Sequence, residues 1–179
     1  MRKIALLFIL VCSYIAGFNQ HYITRNGVAR FYSKTDLEDI AAENKQLLAI
    51  IDPSGRSIAA SILMKGFLFN KALMQEHFNE NYVESDKYPK AVFEGVYTDP
   101  VDAGKNGTYK LSVNGKLTIH GVTREISLPA ILEVIDGVLK GKAEFQITPE
   151  DYKINIPSLV RDKISKKVDV FISFECKKQ

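Results

Sequence analysis

Ile131-Leu132-Glu133-Val134-Ile135-Asp136-Gly137-Val138-Leu139-Lys140-Gly141-Lys142-Ala143-Glu144-Phe145-Gln146-Ile147 is where the fold class is decided. Asp136-Gly137 is a hairpin-turn dipeptide, because a tight two-residue turn needs residues that tolerate a left-handed backbone. Ile131 to Ile135 and Leu139 to Ile147, on its two sides, read as strands. In the second, polar Lys140, Lys142, Glu144 and Gln146 fall on every other position. Such a period of two belongs to a strand with one face buried.

The same rhythm extends in both directions. Toward the C-terminus, Val168 to Phe174 reads as a further strand. Toward the N-terminus come Glu125 to Leu128, Lys116 to His120, Tyr109 to Val113 and Lys90 to Thr98. Asn114-Gly115 has the composition of a tight turn, and Gly121 that of a bulge or bend. His120 reads as a half-exposed residue on the polar face of its strand. Arg56 to Leu63 and Leu47 to Ile51 form a hairpin around Asp52-Pro53-Ser54-Gly55, a type I turn composition. Val28 to Ser33 opens the set. Thr35 and Glu38 have capping-box spacing and suggest a short helical turn over Leu37 to Ala42. One segment breaks the rhythm: in Asn70 to Tyr82, Leu73, Met74, His77, Phe78 and Tyr82 recur every three or four residues. That spacing predicts one amphipathic helix, N-capped by Asn70, with its stripe against the strands. About nine or ten short strands at regular intervals predict an all-β antiparallel barrel or sandwich with one short helix between strands. Barrel closure would also remove exposed strand edges.

Arg2 and Lys3 precede an apolar run from Ile4 to Ile15, and Ala16 and Gly17 follow. This is the layout of a signal peptide over residues 1–17, with cleavage expected between Ala16 and Gln20 and a barrel domain over 20–179. The run is too short for a membrane span, so no transmembrane segment is expected after cleavage. The protein is expected in the periplasm or secreted. The chain's formal charge of +3 falls toward neutrality when Arg2 and Lys3 are removed. Nothing in that balance draws the mature protein to nucleic acid. Of the two cysteines, only Cys176 remains after cleavage, so no internal disulfide is expected and the core itself must hold the fold.

Motifs that would carry chemistry are scarce in the chain. His21, His77 and His120 share no metal-ligand spacing, and the chain contains neither CxxC nor GxSxG nor a Gly-rich phosphate loop. Glu76, Glu80 and Glu84 step by four as on a solvated helix face. No metal site, no catalytic residue and no cofactor are assigned, and the chain is read as a non-enzyme. The apolar side is richer, with Phe31, Phe67, Phe69, Phe93, Tyr109, Phe145 and Phe174 on inward phases and Phe78 on the helix. These fit a filled core as well as a lined void.

Gly115-Lys116-Leu117-Thr118-Ile119-His120-Gly121-Val122-Thr123-Arg124-Glu125-Ile126 resembles the signature hairpin of the YceI-like, polyisoprenoid-binding family. Glu84-Ser85-Asp86-Lys87-Tyr88-Pro89-Lys90-Ala91-Val92-Phe93 resembles that family's Tyr-Pro entry into a strand. Asp151-Tyr152-Lys153-Ile154 through Val168-Asp169-Val170 resembles its C-terminal pair. The resemblance implies a lipocalin-like antiparallel barrel around an elongated apolar tunnel, exported to the periplasm. It also implies an amphiphilic isoprenoid ligand of the quinone or polyprenyl phosphate type. One departure stands out: many relatives have an Arg-Asp pair before the helix histidine, whereas Met74-Gln75-Glu76 precedes His77 here.

The lining expected from strand alternation and the helix stripe is Phe31, Phe67, Phe69, Met74, Phe78, Phe93, Leu111, Leu117, Ile119, Phe145 and Phe174. His77, Arg161 and Lys163 are the expected head-group contacts, the last two in the basic run Arg161 to Lys167. The expected partner is an amphiphilic lipid, and the expected state a monomer or homodimer. The rival reading is a structural or protein-interaction barrel with a filled core.

Overall fold

The computed structural model describes residues 21–179; the expected signal peptide lies outside the described residues. The strands are β1 (Tyr22–Lys34), β2 (Asp39–Asp52), β3 (Ser57–Leu63), β4 (Leu68–Phe69), β5 (Lys90–Tyr97), β6 (Gly107–Ile119), β7 (Val122–Ile135), β8 (Val138–Ile147) and β9 (Val168–Lys178). All pairings are antiparallel, in the order β1-β9-β8-β7-β6-β5-β3-β2, and β2 pairs back to β1. Eight strands thus close into a barrel with no free edge between them. The short strand β4 sits beside β2 and completes the seam with β3.

That seam is irregular for a local reason. Continuing the β2–β3 register would set Ala42 opposite Phe67, but Ala42 faces Phe69. The 3-10 turn Met64–Gly66 inserts the two extra residues. Asn44, fully buried, fills the gap in hydrogen bonding: its Nδ2 donates to the Leu63 carbonyl (2.8 Å) and its Oδ1 accepts from Gln46 N–H (2.8 Å). A buried amide is tolerated where both of its ends are used.

Between β4 and β5 lies the helical segment. It is an α-helix over only Ala72–His77 (α1), continued by a π-type turn over Phe78–Tyr82 in which Val83 N–H reaches the Phe78 carbonyl (2.9 Å). Asn70 is not its cap. Lys71 holds the N-cap position without a side-chain bond, and Gln75 Oε1 instead accepts from Phe69 N–H, six residues earlier in β4 (3.3 Å).

Three other expectations are corrected. Asn114-Gly115 is not a turn: β6 runs straight through it, and the β6–β7 turn is His120-Gly121, with φ of 51° and 71°. Gly115 faces Gly95 across β5–β6, and a Cβ there would run into the Glu94 carbonyl. Its smallness serves close strand approach rather than a reversal. Thr35 to Glu38 forms a turn rather than a helix. Thr35 Oγ1 accepts from the Glu38 N–H (3.1 Å), and β2 then begins at Asp39, because pairing with β1 supplies partners for the backbone. Finally, Glu125–Leu128 and Ile131–Ile135 are one strand. Pro129 is tolerated within β7 because β8 pairs only from Ala130 onward, so the missing N–H has no partner to lose on that edge. The Asp136-Gly137 turn is as expected, with φ of 50° and 76° and Ile135 paired to Val138.

Candidate functional site

The barrel's interior changes character along its axis. At the end distant from α1, Tyr22, Ile51, Tyr97, Val134, Leu139 and Cys176 are each no more than 3% exposed and fill the floor. The Tyr97 hydroxyl is buried without a hydrogen-bond partner among the described residues, and burial pushes its pKa up to about 12. It is therefore a neutral group at ordinary pH. Burial likewise pushes the Cys176 thiol up to about 12.

Above the floor the side chains shrink. Ala29, Ile172, Ala143, Ala130 and Leu111 form one paired row across β1, β9, β8, β7 and β6. All five line a cavity of about 540 Å³. Just below that row Gly141 pairs with Phe174, whose ring lies over the glycine; a Cβ at Gly141 would run into it. Above the alanine row the chain becomes aromatic, with Phe145, Val170, Phe31, Ala42 and Phe69 in register across β8, β9, β1, β2 and β4. Phe31, Phe67, Phe69 and Phe78 pack as a cluster with ring centroids 5.1–5.8 Å apart. Phe78 from the helix touches the other three, so the helical segment is seated on this cluster.

The void exists because small residues occupy the middle of otherwise large-residue strands. β8 shows it alone: its inward residues run Leu139, Gly141, Ala143, Phe145, Ile147. A cavity lined by apolar groups gains nothing from holding water. Its volume lies within the range of about 300–1,000 Å³ usual for small-molecule sites.

The polar groups gather at the helix end. Lys71 Nζ bonds Glu38 Oε1 at 2.9 Å, and this bond holds the Glu38 carboxyl below the usual carboxylate range, with Lys163 adding to the effect. Ser165 N–H donates to the buried Ser33 Oγ (2.8 Å), tying the loop after the 3-10 turn Ser158–Lys163 to β1. These contacts join three segments into a rim: the β1–β2 turn, the helical segment and the loop before β9.

The other end of the helical segment is anchored by a cluster of four residues drawn from three places in the chain. Glu84 Oε2 lies 2.6 Å from His120 Nε2, and His120 Nδ1 lies 3.1 Å from the Tyr152 carbonyl. The Tyr88 ring packs on the imidazole at 4.4 Å. A carbonyl only accepts, so Nδ1 is the donor in that contact, while Nε2 faces the Glu84 carboxyl. Glu84, His120 and Lys153 all have positive φ, at 45°, 51° and 56°. Three uncommon backbone conformations thus converge where the helix joins the barrel. His120 is therefore a nearly buried turn residue, not a half-exposed strand residue as the period-two reading had it.

All eleven residues expected as apolar lining border this cavity: Phe31, Phe67, Phe69, Met74, Phe78, Phe93, Leu111, Leu117, Ile119, Phe145 and Phe174. His77 and Lys163 border it too. Arg161 does not. In a 3-10 turn residues three apart share a face, so Val160 and Lys163 both border the cavity while Arg161 between them is turned away. The alanines of the middle row were missed. Their inward phase was readable from the alternation, but small residues carry no sign in sequence that they border empty space.

The sequence matches the YceI-like domain family over residues 26–176. No curated protein matches it in sequence. Among solved structures, a polyisoprenoid binding domain from Saccharophagus degradans, implicated in plant cell wall breakdown, has a similar fold. The TM-score is 0.76 at 15% identity, covering 89% of this chain and 98% of that one. BcnA from Burkholderia cenocepacia gives a TM-score of 0.69 at 16% identity, over 83% and 95% of the two chains. The YceI protein of Campylobacter jejuni gives 0.58 at 19%, over 87% and 86%. The family match runs from the first strand of the barrel to the last, and this chain belongs to the YceI-like domain family.

Proposed function

We propose that the protein carries a long isoprenoid-type amphiphile, with its apolar chain in the barrel and its polar end at the rim, and performs no chemistry on it. The observation that carries this reading is the cavity itself: lined mostly by apolar side chains, blocked at the floor, and with Glu38, Lys71, His77 and Lys163 among its polar borders at the helix end. Removing an isoprenoid tail from water gains roughly 25 cal/mol per Å² of apolar surface. A dry lining is sufficient for that. Lys163 and His77 are the groups that would meet an anionic or quinone-type head, as charge-assisted or neutral donors. The family's polyisoprenoid-binding relative supports a lipid ligand. A filled-core interaction barrel fits the small side chains of the middle row, and the cavity they line, less well. We further propose that Met1 to Gly17 directs export, so that the ligand is met outside the cytoplasm.

Native mass spectrometry of the gently purified mature protein, with organic extraction, tests the carrier reading. The expected result is a stoichiometric adduct that extracts as a prenyl lipid. A bare protein mass, unchanged after incubation with ubiquinone and polyprenyl phosphate, would overturn it.

A further inference from the structure

The exposed apolar side chains are not scattered. Among the described residues, the four most exposed large ones are Leu159 (94%), Leu37 (68%), Leu68 (67%) and Leu73 (61%). Single exposed leucines are ordinary on a protein surface. Here all four sit on segments of the helix end: the loop before β9, the β1–β2 turn, β4 and α1. At the opposite end, the turns over residues 53–56, 98–106 and 136–137 have no large apolar residue comparably exposed.

The loop before β9 is also the basic side of this rim. Arg161, Lys163, Lys166 and Lys167 stand against the single acid Asp162. All four cations are exposed, and none is in an ion pair among the described residues. Beside this loop, tied to it by the Ser165–Ser33 bond, the β1–β2 turn carries Asp36 and Glu38, and β2 begins with Asp39; Glu38 is engaged by Lys71. The basic charge of the rim is thus concentrated on the loop before β9. Leu159 and Val160 are adjacent in one 3-10 turn, yet Leu159 points to solvent and Val160 borders the cavity.

We propose that this rim docks on the surface of an anionic phospholipid membrane, basic loop first, with Leu159 entering the headgroup layer. The proposal rests on the carrier reading, since a prenyl lipid is collected where it dissolves. An apolar tip flanked by lysine and arginine is the chemistry that holds a protein at such a surface: the tip buries apolar area and the cations meet the anionic headgroups. The turn that carries Leu159 then joins the bilayer to the cavity, so a chain passing between them slides along Val160 without crossing open water.

Flotation of the mature protein with phosphatidylcholine vesicles, with and without phosphatidylglycerol, tests the docking. Two variants use residues that do not border the cavity: Leu37→Ser with Leu159→Ser, and Arg161→Gln with Lys166→Gln and Lys167→Gln. Farnesyl phosphate binding in vesicle-free solution is measured in parallel. The wild type is expected to float with anionic vesicles far better than with neutral ones. The leucine variant should lose about tenfold in vesicle affinity, and the charge variant about fivefold per cation removed. Farnesyl phosphate binding should be unchanged in both. A wild type that binds farnesyl phosphate but floats with neither vesicle overturns the docking and leaves the carrier reading standing. Variants that float like the wild type overturn it as well. A wild type that floats through this rim but takes up no prenyl compound upholds the docking surface and removes the carrier reading instead.

Discussion

At Gly141 the chain omits a side chain so that the Phe174 ring can lie across β8 at the base of the cavity. Gly141→Ala puts a methyl group where that ring rests. Either the strands shift or the ring swings upward into the void, and overpacking of this kind costs about 1–3 kcal/mol. Urea unfolding of Gly141→Ala should show that loss together with weaker prenyl binding. Adding Phe174→Ala to it should restore binding, because the two residues contend for one space and their effects are not additive. Cys176 gives a second residue-level test. It is fully buried in β9 with its Sγ 3.7 Å from the Ala49 carbonyl. With its pKa pushed up to about 12, it stays a thiol through neutral and mildly alkaline pH. A maleimide should label Cys176 only when the barrel unfolds; prompt labelling of the folded protein would show that the floor opens.

At the scale of elements, the helical segment is held unequally at its two ends. The Lys71–Glu38 pair at its start is an exposed ion pair, a kind of contact that contributes little. The Glu84–His120–Tyr152 cluster at its finish is more enclosed and more fully bonded. His120→Ala removes both ring contacts and leaves the Tyr152 carbonyl to find another donor. The expected loss is about 1–3 kcal/mol in denaturant unfolding, with faster amide exchange over Phe78–Tyr82. An unchanged midpoint would mean that the four-phenylalanine cluster seats the helix alone. Little of this arrangement was visible in the sequence. The helix stripe was legible because Met74, Phe78 and Tyr82 obey helical spacing. Its anchor was not, because Glu84, Tyr88, His120 and Tyr152 are brought together only by closure of the barrel. Asn114-Gly115 shows the same limit. The dipeptide serves a turn or a close strand crossing equally well, and what decides is Gly95, which lies on another strand. Arg161 and Lys163 differ by the phase of a 3-10 turn, which no charge pattern reveals.

For the molecule as a whole, the barrel was legible because alternation and the Asp136-Gly137 turn repeat one message along most of the chain. Whether its interior was filled depended on which residues meet across strands. Ala29, Ala130 and Ala143 are ordinary alanines until pairing places them in one row. Ala130→Phe directs a ring into the middle of that row. Because the space is already there, the fold should survive with a thermal midpoint near that of the wild type. Prenyl binding should fall by at least about tenfold, since the ring takes volume the chain needs. Retained binding in this variant, read by native mass spectrometry, would move the ligand outside the barrel.

The floor of Tyr22, Ile51, Tyr97, Val134, Leu139 and Cys176 has a consequence for traffic. A cul-de-sac has one door, so loading and unloading are the same event run in opposite directions. Such a protein cannot act as a conduit between two compartments at once. On the carrier reading proposed above it would work as a ferry: each trip moves one passenger, the supply at each shore sets the net direction, and throughput rises with the number of boats.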